Sequence, residues 1–348
     1  MKFRNPMTPW IECVPNFSDG RNPFIVNAIA SEIEQTSGVV LLDVDPGKDA
    51  NRTVITFTGQ PENVMKAAFR SASRAAELID MTCQHGEHMR MGAMDVCPFV
   101  PLSGVSMNDC ADLARQLGQQ IGNDLGIPVY LYGEAASLPE RKNLAYIRSG
   151  QYEGLKKKLK QADGKPDFGP SKFNARSGAS AVGARDFLIA FNINLDTKDI
   201  RTARAIAAAI RESGKIVVNK HGKKVHKPGL FKACRAIGWM MASHGCAQVS
   251  TNLTDFRLTP PHVVYEACAR LASSFGTRIT GSELVGLIPL EAVLATGRHY
   301  LESKNATEEE LVRAAVKSLG LDSLRPFDPD KKILEYRLRH LIPNWPDG

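Results

Sequence analysis

Residues 81–100 read MTCQHGEHMRMGAMDVCPFV and join a helix-like segment, 67–80, to an apolar run, 96–100. Such a change of pattern predicts a loop between a helix and a strand. The loop collects two imidazoles, two carboxylates and a cation, namely His85, His88, Glu87, Asp95 and Arg90. Loops held by rigid elements concentrate binding and catalytic groups, so this loop is the first candidate for an active site.

Two other interpretations of the loop compete with an active site. His85 and His88 lie three residues apart, but Gly86 separates them and no thiol pair is nearby. The zinc-protease orders H-E-x-x-H and H-x-x-E-H are both missing, so we expect no metal site. A solvated polar turn is the remaining alternative when the loop is considered alone.

Around this loop, the first half of the chain predicts a repeating order of elements. Strands are expected at 10–14, 39–45, 53–58 and 96–100, and helices at 23–35 and 61–80. This is the β-α-β-β-α-β order of a ferredoxin-like unit. A helix at 107–125 and a strand at 129–132 follow.

The second half predicts the same order again. Strands are expected at 187–195, 233–240, 247–253 and 278–281, and helices at 199–213 and 260–275. A polar passage, 141–183, separates the halves, and a connection of that length without structure is usually functional. A helix at 308–319 and a strand or helix at 333–341 end the chain.

These patterns predict an α+β protein made of two ferredoxin-like βαββαβ subdomains with antiparallel or mixed sheets. The expected divisions are 1–183, which includes the loop and the polar passage, 184–336, and a C-terminal tail, 337–348. A chain of 348 residues is long enough for two domains or for one domain with two cores.

Composition narrows the class of protein. The chain is 43% hydrophobic and 23% charged, as in ordinary soluble domains, and no apolar run approaches the roughly 20 residues of a membrane span. The first ten residues lack the apolar core of a signal peptide, so we expect a cytoplasmic protein. The net charge is +7, but the lysine-rich stretches lack interleaved aromatic residues, so nucleic acid is not the expected partner.

The seven cysteines are scattered and never form a C-x-x-C pair. In a reducing compartment this pattern indicates free thiols and no disulfide framework. Cys83 and Cys97 flank the loop, but neither lies in a recognisable nucleophile setting.

The sequence around the loop resembles the glutamate formimidoyltransferase (formiminotransferase) family along nearly its whole length. The matching phrases occur in the order of the family: IECVPNFSDG (11–20), LLDVD (41–45), NRTVITFTG (51–59), GEHMRMGAMDVCPFVP (86–101), VYLYGEAA (129–136), DFGPSKF (167–173), GARDFLIAFNINL (183–195), QVSTNLTDF (248–256), GSELVGLIP (281–289) and LGLDSLRPFDP (319–329). The resemblance weakens after Tyr336.

The resemblance implies transfer of a formimino group from N-formimino-L-glutamate to N5 of tetrahydrofolate. The catalytic histidine of the family lies in the G-E-H word and corresponds to His88, a general acid/base suited to neutral pH. His85 does not match and is expected to be an ordinary loop residue. Met89 replaces the proline that often follows the histidine. Asp45 is the first candidate to orient His88, ahead of Glu87 and Asp95, although its place beside Pro46 and Gly47 also suits a surface loop.

The resemblance also implies a folate-binding segment after the DFGP word. Its residues here are Gly169, Pro170, Ser171, Lys172, Phe173, Asn174, Ala175, Arg176, Ser177 and Gly178. Glycine and amide groups allow close approach of a carboxylate, and Lys172 and Arg176 supply positive charge. The interior of the segment varies from the family pattern. A flexible interdomain linker is the alternative interpretation.

Two other functions stay open on the sequence alone: a 5-formyltetrahydrofolate-dependent glutamate formyltransferase, and a basic RNA-binding protein. Tetrahydrofolate is the expected co-substrate and no metal is expected. The family suggests a homodimer. Only 19 residues, 330–348, follow the last family phrase, so we expect a monofunctional enzyme that depends on a separate cyclodeaminase.

Overall fold

The computed structural model describes residues 8–219, 222–303, 305–343 and 345. The chain folds as two compact units, Met1–Asp186 and Phe187–Gly348. Residues 1–7 lie outside the described residues, and they make up most of the N-terminal segment in which no signal peptide is expected. Residues 220 and 221 of the lysine-rich stretch also lie outside them. None of the helices in the described part is long and apolar enough to cross a membrane.

The first unit alternates strands and helices in the predicted order and then extends it. Its strands are β1 (Trp10–Cys13), β2 (Asn16–Phe17), β3 (Val39–Gly47), β4 (Arg52–Gly59), β5 (Met94–Ser103), β6 (Val129–Gly133) and β7 (Ser180–Ala184). Its helices are α1 (Pro23–Glu34), α2 (Pro61–Leu78), α3 (Met107–Asp124), α4 (Leu144–Ile147) and α5 (Gln151–Lys158).

These strands form one seven-stranded mixed sheet. β4 pairs antiparallel with β3 on one side and with β1 and β2 on the other. Both β1 and β2 also pair antiparallel with β5, and β7 continues the sheet in parallel between β5 and β6. Apolar side chains of α1, α2 and α3 pack on one face of the sheet, around residues such as Ile55, Phe57 and Phe99.

The prediction of an unstructured passage at 141–183 is wrong. The passage contains α4, α5 and β7, and it is anchored by an ion pair between Arg141 and Asp167 whose partners are 6% and 9% exposed. Ile147, Leu155 and Leu159 pack against Tyr130 and Tyr132 of β6. The segment therefore covers part of the sheet and is a structural part of the first unit.

The described residues of the second unit include the strands β8 (Ile189–Leu195), β9 (Lys215–Val218), β10 (Lys224–Lys227), β11 (Cys234–Met241), β12 (Cys246–Leu253) and β13 (Ile279–Val285). Its helices are α6 (Ile200–Ile210), α7 (Pro261–Ser274), α8 (Leu290–Tyr300), α9 (Glu308–Leu319), α10 (Pro329–Lys332) and α11 (Leu334–Leu341). The four-stranded antiparallel sheet has the order β11-β12-β8-β13, and β9 and β10 form a separate hairpin.

The sequence located most elements of the second unit but missed the hairpin and α8. The strand expected at 278–281 extends to Val285, because the GSELV residues pair with β8. The pattern of residues 333–341 predicts a strand or a helix, and in the structure Leu334–Leu341 form the helix α11. Phe191, Ile193 and Val249 form a core with α6 and α7 on one face of the sheet.

Candidate active site

The predicted loop joins the end of α2 at Leu78 to the start of β5 at Met94. Three backbone hydrogen bonds tie it to two other segments. The Met81 amide donates to the Arg176 carbonyl at 2.8 Å, and the Ala93 amide donates to the Ser177 carbonyl at 2.9 Å. The Glu87 amide donates to the Asp49 carbonyl at 3.3 Å, in the turn between β3 and β4. The loop therefore has a defined path although it is irregular.

Gly86 is required where the loop passes the β3–β4 turn. A Cβ at this position would meet the Ala50 carbonyl oxygen and would lie 2.7 Å from the Cβ of Asn51. The Asn51 side chain donates to the His85 carbonyl at 3.0 Å and to the Gln84 side chain at 2.6 Å. His85 is exposed and joins this contact through its backbone.

His88 is half-buried, and its Nδ1 lies 2.8 Å from the Met89 carbonyl oxygen. A carbonyl oxygen only accepts, so this bond places the proton on Nδ1. In the neutral ring Nε2 is then the basic nitrogen. Burial lowers the pKa of His88 to about 3, and the positive charges of Arg52 and Arg148 act in the same direction. His88 is therefore a neutral imidazole at pH 7.

A buried cluster of three charged residues lies beside His88. Asp95 Oδ2 accepts from Arg52 and from Arg148, both at 2.5 Å, and Asp95 Oδ1 accepts from the Met91 amide at 2.8 Å. Burial alone would raise the pKa of Asp95, but Arg148 and Arg52 outweigh it and hold the pKa at about 2. Asp95 thus stays ionised and ties the loop to two arginines from distant parts of the chain.

Each arginine is held by its own surroundings. Arg52 begins β4 and also donates from Nε to Asn16 at 2.9 Å. Arg148 follows α4, whose carbonyl at Ile147 accepts from the Lys158 ammonium group. Burial lowers the pKa of Arg52 to about 10, and the side chains of Arg52 and Arg148 are 6% and 9% exposed. The cluster therefore has little contact with solvent.

A second arginine contact fixes the loop to α5. Arg90 donates to both carboxylate oxygens of Glu153, at 2.8 and 3.2 Å, and to the Gln84 carbonyl at 2.8 Å. Its guanidinium also lies 6.0 Å from the centre of the Tyr152 ring. Gln84 and Arg90 stand on either side of His88 in the sequence, so this contact holds both ends of the G-E-H word.

Asp45, the residue expected to orient His88, is buried in β3. It pairs with Val54 of β4, and directly paired residues share a face of a sheet. Arg52 lies two residues before Val54, so Asp45 and Arg52 are on the same face. The structure therefore places Asp45 on the face that carries the arginine cluster. Its contact with His88 stays a prediction.

The expected folate-binding segment approaches the loop through its second half. Gly178 forms an antiparallel bridge with Gly92, and the Asn174 side chain accepts from the Ser177 amide at 2.9 Å. Phe173 lies 5.5 Å from Tyr152, between ring centres, and Ala175 accepts from the Tyr152 hydroxyl at 2.6 Å. The segment is thus ordered and is not a flexible linker.

The charged residues of this segment differ in their surroundings. Arg176 donates to the Glu77 carbonyl at 2.5 Å and lies 3.6 Å from the Asp80 carboxylate, so it stabilises the end of α2. Lys172 is exposed, as are Gly169, Pro170 and Ser171. The structure brings Ser177 and Gly178 next to the loop, and leaves Gly169 to Lys172 on the surface.

Comparison with known proteins matches two domain models to the chain. Residues 10–185 match the N-terminal subdomain of the formiminotransferase domain, and residues 190–339 match the formiminotransferase domain. The chain belongs to the formiminotransferase family. The resemblance seen in the sequence phrases is confirmed.

Three relatives illustrate the breadth of the family. The glutamate formimidoyltransferase of Thermoplasma acidophilum is 42% identical over 312 residues, covering 88% of this chain and 98% of that protein. The enzyme of the same name from Streptococcus pyogenes is 40% identical, covering 85% and 94%. The rat formimidoyltransferase-cyclodeaminase is 50% identical over 95% of this chain, which spans 60% of its length.

Sequence reasoning missed the importance of Arg52 and Arg148. Arg52 carried a signal, since an arginine that opens a strand as apolar as RTVITFTG needs a buried partner. Arg148 carried none, because it lies in the passage that was expected to be unstructured. The sequence offers Asp95 as a candidate to orient His88, whereas in the structure its carboxylate accepts from Arg52, Arg148 and the Met91 amide.

Proposed function

We propose that this protein transfers the formimino group of N-formimino-L-glutamate to N5 of tetrahydrofolate and releases L-glutamate. The observation that carries the proposal is the identity of 40% to 42% with two glutamate formimidoyltransferases over nearly their whole lengths. A neutral histidine with a fixed tautomer in the family's G-E-H word supports it.

In the proposed reaction, N5 attacks the formimino carbon and a tetrahedral intermediate forms. His88 Nε2 takes the proton that N5 loses, and the imidazolium then protonates the glutamate nitrogen as its bond to carbon breaks. The proton count is balanced, and no external base is needed. Arg52 and Arg148 disfavour the imidazolium, so the proton passes readily to the leaving nitrogen.

We propose supporting roles for two further parts of the site. Asp45 orients His88, and Gly169 to Gly178 contribute to folate binding, as the family resemblance implies. The ordered contacts of Asn174 and Ser177 support the second role, since they hold backbone amides beside the loop. Tetrahydrofolate acts as co-substrate.

We also propose that each unit contains a ferredoxin-like βαββαβ fold. In the first unit β3, β4, β1 and β5 are neighbours in that order, and in the second the order is β11, β12, β8 and β13. Each is the strand order of a ferredoxin-like βαββαβ unit, to which the first adds β6 and β7. We propose the domain boundaries 1–183 and 184–336, with a tail, 337–348, and a homodimer in solution.

The experiment is to incubate the purified protein with tetrahydrofolate and formiminoglutamate and to identify products by mass spectrometry. We expect enzyme-dependent 5-formiminotetrahydrofolate and glutamate. A parallel arm contains 5-formyltetrahydrofolate and L-glutamate in place of tetrahydrofolate and formiminoglutamate, so that a formyl transfer would give N-formylglutamate and tetrahydrofolate. Product in that arm alone would replace the proposal with a formyltransferase, and absence of turnover in both would refute it.

Removal of ammonia from the product is assigned to cyclodeaminase residues that lie outside 10–339. Both domain models that match residues 10–339 are formiminotransferase models, which supports this division. In the same incubation, ammonia and 5,10-methenyltetrahydrofolate should form no faster than after the enzyme is filtered out. Ammonia release proportional to enzyme concentration would contradict it.

A further inference from the structure

The cluster beside His88 has more positive than negative charge. Arg52 and Arg148 share the single carboxylate of Asp95, and the three side chains are 6%, 9% and 0% exposed. Among the described residues, no acceptor lies within hydrogen-bond distance of Arg148 Nε, which is itself buried. Burial of a cation without a full set of acceptors is unfavourable, so a site of this kind favours an anion.

The position of the cluster indicates which anion it would take. Asp95 Oδ1 accepts from Met91, three residues after His88, so the cluster and the base are held by one short piece of backbone. The formimino carbon must lie next to His88 when the proton moves. In tetrahydrofolate the carboxylates are separated from N5 by the benzoyl group. In formiminoglutamate the α-carboxylate is only two bonds from the nitrogen that carries the formimino group.

We propose that Arg148, supported by Arg52 and Asp95, binds the α-carboxylate of the formimino donor. The inference rests on the proposed function and adds a specificity residue to it. A planar guanidinium held by Asp95 on one side can present Nε and a second nitrogen to a carboxylate in a bidentate arrangement. Burial is the main cause of the low pKa of His88, and the positive charges of Arg52 and Arg148 lower it further.

The test compares two donors in two enzymes. N-formimino-L-glutamate and its α-amide, N-formimino-L-isoglutamine, are assayed with the wild type and with Arg148→Gln. We expect the wild type to prefer the α-carboxylate in kcat/KM and this preference to fall by about tenfold to a hundredfold in the variant, as for loss of a charge-assisted hydrogen bond. Arg148→Lys, which keeps the charge, should recover part of the preference.

Arg141→Gln is the matched control. Arg141 lies seven residues before Arg148 in the sequence. Like Arg148, it is a buried arginine that forms an ion pair with an aspartate, here Asp167. This variant measures the general effect of losing such a pair, and its preference for the α-carboxylate should equal that of the wild type. The γ-amide donor, N-formimino-L-glutamine, tests whether the lost charge acts equally on both carboxylates of the donor. The ratio of kcat/KM for formiminoglutamate to kcat/KM for this γ-amide should be the same in Arg148→Gln as in the wild type.

Three outcomes would overturn the inference: an unchanged α-preference in Arg148→Gln, an equal loss of γ-preference, or an equal loss in Arg141→Gln. If Arg148→Gln does not fold, binding of L-glutamate and L-isoglutamine to the wild type and Arg148→Lys is measured by calorimetry. Equal relative affinities in the two proteins would then refute it. Failure of the wild type to use formiminoglutamate at all would instead refute the proposed function.

Discussion

Asp95→Asn should strongly destabilise the first unit. The amide has the shape of the carboxylate and can still accept from Met91, but its NH2 group faces the donors of Arg52 and Arg148. All three side chains are at most 9% exposed, so two guanidinium groups would lose their counter-ion in the interior. Breaking a buried ion pair by removing one partner costs about 3–5 kcal/mol, and we expect that loss of unfolding free energy at pH 7.

The pH dependence gives an independent magnitude. The pKa of Asp95 is lowered from 3.8, the ordinary value that applies to the unfolded chain, to about 2 in the fold. Its contribution is therefore present above pH 4 and is lost as the pH falls towards 2, where the folded carboxylate takes up a proton. The lowered pKa corresponds to about 2–3 kcal/mol, so the difference in unfolding free energy between wild type and Asp95→Asn should narrow by about that amount over this range.

Hydrogen exchange of the β5 amides is the suitable assay, because the two units need not unfold together. Asp112→Asn is the matched control, since Asp112 forms an exposed pair with Arg115 and such pairs contribute about 0–1 kcal/mol. The reasoning fails if the two variants are destabilised equally. It also fails if Asp95→Asn loses as much unfolding free energy between pH 4 and pH 2 as the wild type does.

Three further expectations concern the loop. His88→Ala should lower turnover about a hundredfold or more while tetrahydrofolate still binds, and His85→Ala should change turnover far less. Gly86→Ala should cost about 1–3 kcal/mol in thermal or chemical unfolding, because its Cβ meets the β3–β4 turn, whereas Gly154→Ala on α5 has open space and should be neutral or slightly stabilising. Dialysis against a strong chelator should leave turnover intact, as no metal takes part in the proposed reaction.

Each expectation has an outcome that contradicts it. Equal losses in His88→Ala and His85→Ala would remove the assignment of a single catalytic histidine. Equal stability of Gly86→Ala and Gly154→Ala would show that the loop does not need its close approach to the turn. Activity that is lost on chelation and restored specifically by zinc would show that a metal takes part.

The sequence predicted the elements whose apolar residues are periodic. α2 and β5 stand where the pattern placed them, and the His88 loop lies between them as expected. β7 was missed because its residues, SAVGA, are too small and too few to form a recognisable strand. It is a strand because its backbone pairs with β5 and β6, which no local pattern reveals.

The candidate site was predictable only where the family phrases covered it. His88 and the segment at 169–178 became candidates only through the family phrases, and the structure shows that the Ser177 carbonyl accepts from the amide of Ala93, the residue before β5. The contact between Arg148 and Asp95 joins positions 53 residues apart. Such a contact depends on the path of α4 over the sheet, and that path cannot be predicted from hydrophobic periodicity or from composition.

A histidine whose pKa is about 3 is a weak base, which poses a problem for the first proton transfer. The proposed donor site offers a solution in the same residues. A carboxylate bound at Arg148 would offset the surplus positive charge of the arginine pair, and removal of that charge raises the pKa of a nearby imidazole. The base would then gain strength when the donor is in place. Without a donor, burial and the two arginines together keep His88 neutral. The part of this effect that comes from the arginines would couple donor binding to the strength of the base.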